Sequence, residues 1–293
     1  MQSFRQWVRY RAVLFSFIAF SNISIAESLR IYIDDEKDLL VFTGQVAPSN
    51  IAGATNNMLF NMIDGVDIEF VPSSYKRALR IMSQQPEPIC VVNKVKTQER
   101  EAAFLFSLPI NLYLSRRLYL QIDAEPLAPS LLDEQGNVIS LPKLFHAHRH
   151  KLIVLAGAFS YGPFLDKQLA QVSSANKVIR EGSNHYDTVY RMFHLRRVDF
   201  LLAYPAEVYR HAKTDKSQYQ SYRMANSPGF ILGHIMCNDT TASRTFIKKV
   251  NTIMLQMYNQ DEFTNAHLHF LPKQEHDVTK QYIEQLKRYQ IQP

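Results

Sequence analysis

The chain of 293 residues is 46% hydrophobic and 20% charged, with a formal net charge of +6; it is long enough for two modest domains or one large one. Three of those charges, Arg5, Arg9 and Arg11, sit in an N-terminal stretch with no acidic residue before Glu27. The charge that remains is too weak and too evenly spread to indicate a nucleic-acid partner.

The first segment reads as an export signal. The arginines precede the apolar run AVLFSFIAF (12–20), which is far shorter than the ~20 residues of a membrane span. Ser24 and Ala26 then offer the small residues of a cleavage site, so residues 1–26 are expected to be removed. No cysteine follows directly, so a lipid anchor is not indicated, and no later apolar run approaches membrane length.

From Glu27 onward, short apolar or alternating runs alternate with helical patterns. LRIYID (29–34), VDIEFV (66–71) and PICVV (88–92) read as strands. ATNNMLFNMI (54–63) and SSYKRALRIMSQ (73–84) carry helical periodicity, the second with Ser73 or Ser74 as N-cap. The segment KTQEREAAFLFSLPI (96–110) turns from charged to apolar and is expected to break at Ser107-Leu108-Pro109. SLLDEQGNVIS (130–140) reads as an insertion with a β-turn at Gln135-Gly136-Asn137. The pattern restarts with strand KLIVLAG (151–157), helix PFLDKQLAQV (163–172), strand NKVIRE (176–181), helix HYDTVYRMFHLRR (185–197) and strand VDFLLAYP (198–205). FILGHIMCN (230–238) is a further strand. SRTFIKKVNTIMLQMYN (243–259) is a helix with Phe246, Val250, Ile253, Met254 and Met257 on one face. Two α/β units of this kind predict two lobes with a cleft at the carboxyl ends of their strands.

The order of motifs resembles the bacterial extracellular solute-binding proteins of family 3, of the periplasmic-binding-protein type II fold. Thr97-Gln98-Glu99-Arg100 followed by Phe106-Ser107-Leu108-Pro109 matches the family's T-x-x-R turn and F-S-x-P segment. Tyr75-Lys76-Arg77-Ala78-Leu79 is similar to its aromatic-x-Arg-Ala-Leu helix start. LIVLAGAFSYG resembles the second lobe's first strand and ligand loop, and LRRVDFLLAYPAE its G-R-x-D turn, with Arg196 where the glycine usually sits.

The resemblance implies an α/β fold in which residues 27–112 begin lobe 1, 113–221 form lobe 2, and 222–293 return to lobe 1 and add C-terminal helices. It implies hinge segments near Leu112–Leu118 and Tyr222–Phe230. It also implies that Arg100 faces the ligand as a fork of donors for a carboxylate. Thr97, Tyr75, Ser160, Tyr161 and Tyr204 are the accompanying contacts, and Arg77 is the alternative cation. Where this chain departs, Val95 replaces the family's Ser or Thr, Tyr204 stands nearest its ammonium-binding acid, and DDEKDLLVF replaces its Pro-Pro-aromatic segment. An unneutralised ammonium in a closed cleft is costly, which argues against an ordinary α-amino acid. The expected function is a monomeric periplasmic binding protein closing on a small polar or anionic molecule for uptake or sensing, with an inner-membrane permease or sensor as partner. The alternative is a module with a degraded cleft that docks on a membrane sensor or envelope partner. Only two cysteines are present; the fold resemblance places Cys237 on the returning strand beside Cys90, and a disulfide between them is expected.

Two histidine groups, His146/His148/His150 and His267/His269, have no Asp, Glu or Cys beside them and read as solvated loops rather than a metal site. Asp199 is expected to cap its strand or pair with Arg196 or Arg197. Gly-x-Ser-x-Gly, His-Glu-x-x-His and Walker patterns are missing from the sequence, so no enzyme and no cofactor is expected.

Overall fold

The computed structural model describes residues 28–157, 159–181, 185–215 and 218–291; the export segment expected over 1–26 lies outside them. Two five-stranded sheets organise the chain. The first half builds β1 (Leu29–Ile33), α1 (Glu36–Phe42), α2 (Ile51–Met62), β2 (Ile68–Pro72), α3 (Tyr75–Gln84), β3 (Ile89–Lys94), α4 (Gln98–Glu101) and β4 (Leu105–Leu114). β1 runs parallel to both β2 and β3. After Ser115 and Arg116 the chain enters the second sheet through β5 (Arg117–Gln121), α5 (Leu141–Ala147), β6 (Ile153–Ala156), α6 (Pro163–Ala170), β7 (Lys177–Arg180), α7 (His185–His194), β8 (Phe200–Ala203), α8 (Pro205–Asp215) and β9 (Tyr219–Tyr222). It returns through β10 (Phe230–Cys237) and ends in α9 (Thr241–Met257), α10 (Asp261–Leu268) and α11 (His276–Ile291). Among the described residues no helix is long and apolar enough to cross a membrane.

Local chemistry accounts for the elements. Asp35 caps α1 by accepting from the Lys37 amide at 2.9 Å, and Asn50 caps α2 through the Gly53 amide at 2.6 Å; such caps satisfy donors that a helix start leaves open. Ser74 occupies the N-cap position of α3 without a capping bond. β6 and β8 are buried along their whole length, as expected of parallel strands covered on both faces. α9 buries Phe246, Val250, Ile253, Met254 and Met257 in the first core, each such side chain contributing roughly 1.5–3 kcal/mol. Leu118, Leu141, Leu144 and Ile153 anchor the second core.

Several expectations are corrected. β4 does not break at Ser107-Leu108-Pro109 but continues to Leu114. β4 is the edge of its sheet, the position where a proline costs no ladder bond, and the register shifts beside it between Gly233 and His234. His146 lies in the last turn of α5 rather than in a loop. His267 lies in the last turn of α10 and is fully buried rather than solvated. Asp199 binds Lys151 at 2.8 Å and the Leu152 amide, while Arg196 pairs with Asp123.

β10 inserts between β3 and β4, antiparallel to both. Cys237 lies opposite Cys90, and the two form a disulfide with Cα atoms 4.0 Å apart, closer than the usual 4.4–6.8 Å. The crossing segments touch, with the Ser115 amide donating to the Gly229 carbonyl at 3.1 Å.

Two predictions follow from these contacts. Replacing Cys90 and Cys237 together by Ala should lower stability by up to about 5 kcal/mol, the chain-entropy value for a loop of this length, measured by urea unfolding with and without reductant. The second concerns acid. His267 accepts from the Leu112 amide at 3.1 Å and donates Nδ1–H to the Phe263 carbonyl; His234 donates Nδ1–H to the Ser107 carbonyl. Burial pushes both imidazoles down to about 4. Because each folded value is depressed, the unfolded chain takes up protons first. The histidine contribution should therefore be full above about pH 6.5 and be lost toward pH 4, against the opposite trend of the buried carboxyls Asp38 and Glu207; comparing denaturant midpoints of wild type and His234→Gln across that range isolates it.

Candidate ligand site

One cavity, of about 90 Å³, lies where the two lobes face each other and is walled by both. It sits outside the carboxyl ends of β1, β3 and β8, where parallel sheets place their ligands. From the first lobe come Asp34, Asp35 and Asp38, the β3 terminus Asn93-Lys94-Val95, Asn111 and Tyr113 of β4, and Gly233 of β10. From the second come Phe159, Tyr204, Glu207 and Arg210. Aromatic rings meet across the gap: Tyr113 and Tyr204 have centroids 4.7 Å apart, and Tyr75 and Phe159 5.6 Å. At the rim, Lys37 of α1 binds Asp187 of α7, which also holds Arg210 at 2.6 Å and His211 at 3.3 Å. His211, with Lys37 and Arg210, keeps the Asp187 carboxyl below the ordinary carboxylate range.

The cations at the cavity are engaged by protein groups. Lys94, 5% exposed, binds Asp34 at 2.9 Å and lies 4.3 Å from the centre of the Tyr75 ring and 5.5 Å from that of Phe159. Arg116 is buried between Tyr161 and Tyr204, 4.5 and 3.9 Å from their ring centres. The carboxylates are less well matched. Asp38, 8% exposed, accepts from Asn50 Nδ2 at 3.1 Å and has no cationic partner among the described residues. Burial, reinforced by the Asp35 charge, pushes its carboxyl up to about 7. Glu207 accepts from the Tyr204 amide at the start of α8, and burial pushes it up to about 7 against the pull of Arg116. Burial raises Asp35 as well.

An amide network forms the floor. Asn56 and Asn111 both donate to Asn93 Oδ1 at 2.8 Å, and Asn93 holds the left-handed backbone, φ 58°, that Asn tolerates better than most residues. Asn111 is completely buried, and its Oδ1 has no donor. Gly233 packs against that oxygen so closely that a Cβ would come within 2.2 Å of it.

Of the residues singled out from the sequence, Tyr204 lines the cavity. Tyr75 lies behind Lys94, and Arg100 lies beside Tyr75, its guanidinium 5.5 Å from the ring centre and its Nη1 donating to the Val95 carbonyl at 3.0 Å. Arg100 is not among the residues that wall the cavity. Thr97 caps α4 through the Arg100 amide, and Arg77 is exposed on α3. Ser160 and the Tyr161 amide are tied to Asp166 in the first turn of α6, and Tyr161 packs on Arg116. Sequence reasoning passed over Asp35, Asp38, Lys94, Asn111 and Glu207. Two signals were visible: DDEKD, noted as a departure, and the Pro205-Ala206-Glu207 helix start, which sets a carboxylate three residues beyond Tyr204.

No family model matches the chain, and no curated protein matches its sequence. Solved structures do. A structure of glutathione import through the cystine ABC importer of Streptococcus mutans aligns with a TM-score of 0.59 at 11% identity, over 86% of this chain and all of its own. A Streptococcus pneumoniae ABC uptake transporter substrate-binding protein with bound histidine gives 0.56 at 13%, over 83% and 92%. An ancestral arginine-binding protein bound to arginine gives 0.53 at 13%, over 84% and 99%. The fold is that of the two-lobed type II binding proteins. The resemblance drawn from the motifs is borne out in the architecture.

The packing at Gly233 carries a direct test. Gly233→Ala should destabilise by roughly 1–3 kcal/mol, the range for overpacking a tight interior, while Ala at Gly53, in the first turn of α2, where an added Cβ comes no nearer than 3.3 Å to a neighbour, should cost less. Thermal melts of the two variants side by side check the order.

Proposed function

We propose that this chain is a divergent extracellular solute-binding protein that closes its two lobes around a small molecule for uptake through a membrane permease. The observation that carries the reading is a cavity walled by both lobes at the carboxyl ends of their strands, with rings from each side meeting at its edges. Such a site opens only when the lobes part about their two connecting segments, a hinge motion. Its volume is several times the 10–15 Å³ that one water needs, so it suits a molecule of amino-acid size. The structural neighbours include proteins solved with histidine and with arginine, which supports a nitrogenous ligand over the anion expected from the motifs. Export to the periplasm, through the segment 1–26, belongs to the same proposal.

Tyr204 is the proposed wall contact. Tyr161 acts through Arg116, and Ser160 fixes the loop that carries Phe159 and Tyr161. Arg100, with Thr97 beneath it and Tyr75 beside it, is proposed to steady the end of β3 that carries Lys94, through its bond to the Val95 carbonyl, and Arg77, exposed on α3, is given no ligand contact.

A thermal-shift screen over amino acids, amines, organic acids and sugars tests the proposal. A ligand present at 100 Kd should add about 2.7 kcal/mol of stability, and small-angle scattering should report a smaller radius in its presence. The absence of any shift, together with chemical turnover of a panel compound, would overturn it.

A further inference from the structure

The charges around the cavity do not balance within the protein. Lys94 is matched by Asp34, and Arg210 by Asp187. Among the described residues Asp35 and Asp38 on the first lobe and Glu207 on the second line the cavity without a cation in ion-pair contact, Arg116 and Arg210 acting on Glu207 only from farther off. Buried charge is costly unless it is paired, so these carboxylates call for positive charge from the ligand. The rings of Phe159, Tyr113 and Tyr204 supply faces that attract a cation and pack on a carbon chain. Among the described residues the two cations that wall the cavity, Lys94 and Arg210, are each paired with a carboxylate, Arg210 keeping one buried N–H, at Nε, without an acceptor. The described carboxylates do not converge as a metal shell.

We infer that the cavity takes a small organic dication, a diamine or amino-guanidine, with one positive group at Asp35 and Asp38 on the first lobe and the other at Glu207 on the second. This rests on the binding-protein reading and narrows it. The ligand bridges the lobes electrostatically: it neutralises carboxylates that would otherwise repel one another as the cleft narrows. The volume agrees, since about 90 Å³ holds about six water-sized positions, comparable with the heavy atoms of 1,4-diaminobutane.

Titration calorimetry of the full mature chain decides it, with 1,4-diaminobutane, butylamine, glutamine and succinate as probes. Wild type should bind the diamine at least tenfold more tightly than butylamine, and succinate not at all. Glu207→Gln, and separately Asp38→Asn, should weaken diamine binding at least tenfold and bring it level with butylamine, a loss of discrimination that a merely structural defect would not produce. Circular dichroism melts identify any variant that fails to fold, and either variant alone suffices for the comparison. Tighter binding of glutamine or succinate than of the diamine overturns the dication while leaving a binding protein in place, as does undiminished diamine affinity in the folded variants. Absence of binding by every probe and by the wider ligand panel overturns the binding-protein reading itself.

Discussion

The structure depends on one insertion: β10, arriving from the second lobe, lies between β3 and β4 and pairs antiparallel with both. That placement makes the first lobe discontinuous in sequence, because its sheet is completed only after the other lobe has been built. It also forces the chain to cross between lobes twice, and the crossings lie side by side, joined by the Ser115–Gly229 bond. Two adjacent crossings of this kind are where the proposed closure would hinge. The Cys90–Cys237 bond lies within the first sheet, so it secures the insertion without tying one lobe to the other.

The same topology sets the electrostatics of the cleft. Helix starts converge there from both sides, and carboxylates occupy them: Asp35 at the N-cap of α1 and Glu207 in the first turn of α8. The partial positive charge of a helix start favours an acidic group by some 0.3–1 kcal/mol, which offsets only part of the cost of removing it from water. The raised carboxyls of Asp38 and Glu207 express the remainder. Lys94 shows the contrasting case, in which Asp34 at 2.9 Å and two aromatic faces surround the buried ammonium.

The fold was largely legible in the sequence because it is written in periodicity. The strands from LRIYID to FILGHIMC and the helix with Phe246, Val250 and Met254 on one face carry patterns that burial imposes on any sequence of this architecture. Arg196 is a telling detail: it stands where a glycine was expected, and it adopts φ 57°, the backbone that glycine adopts without strain. The elements that were missed, α1, α5, α8 and β9 among them, are short or polar, and tertiary contacts decide their state more than local propensity does. The proline in β4 misled because its tolerance depends on being at a sheet edge, and a sequence does not show its own edges. The cavity was less legible. Its polar groups come from strand ends distant in sequence, and Glu207 reaches it because Pro205 begins a helix immediately after Tyr204.

Motif matching and charge accounting weight this cleft differently. The T-x-x-R motif directs attention to Arg100, yet that guanidinium is bonded to the Val95 carbonyl and lies along Tyr75, outside the cavity wall. The charged groups that wall the cavity include the carboxylates of Asp35, Asp38 and Glu207 beside the paired cations Lys94 and Arg210. An architecture can hold its strand order while the charges of its cleft change, because the first is enforced by two hydrophobic cores and the second by a few side chains at strand ends. What the cleft accepts is therefore better argued from the charges its own residues leave unpaired than from the motif that names its fold.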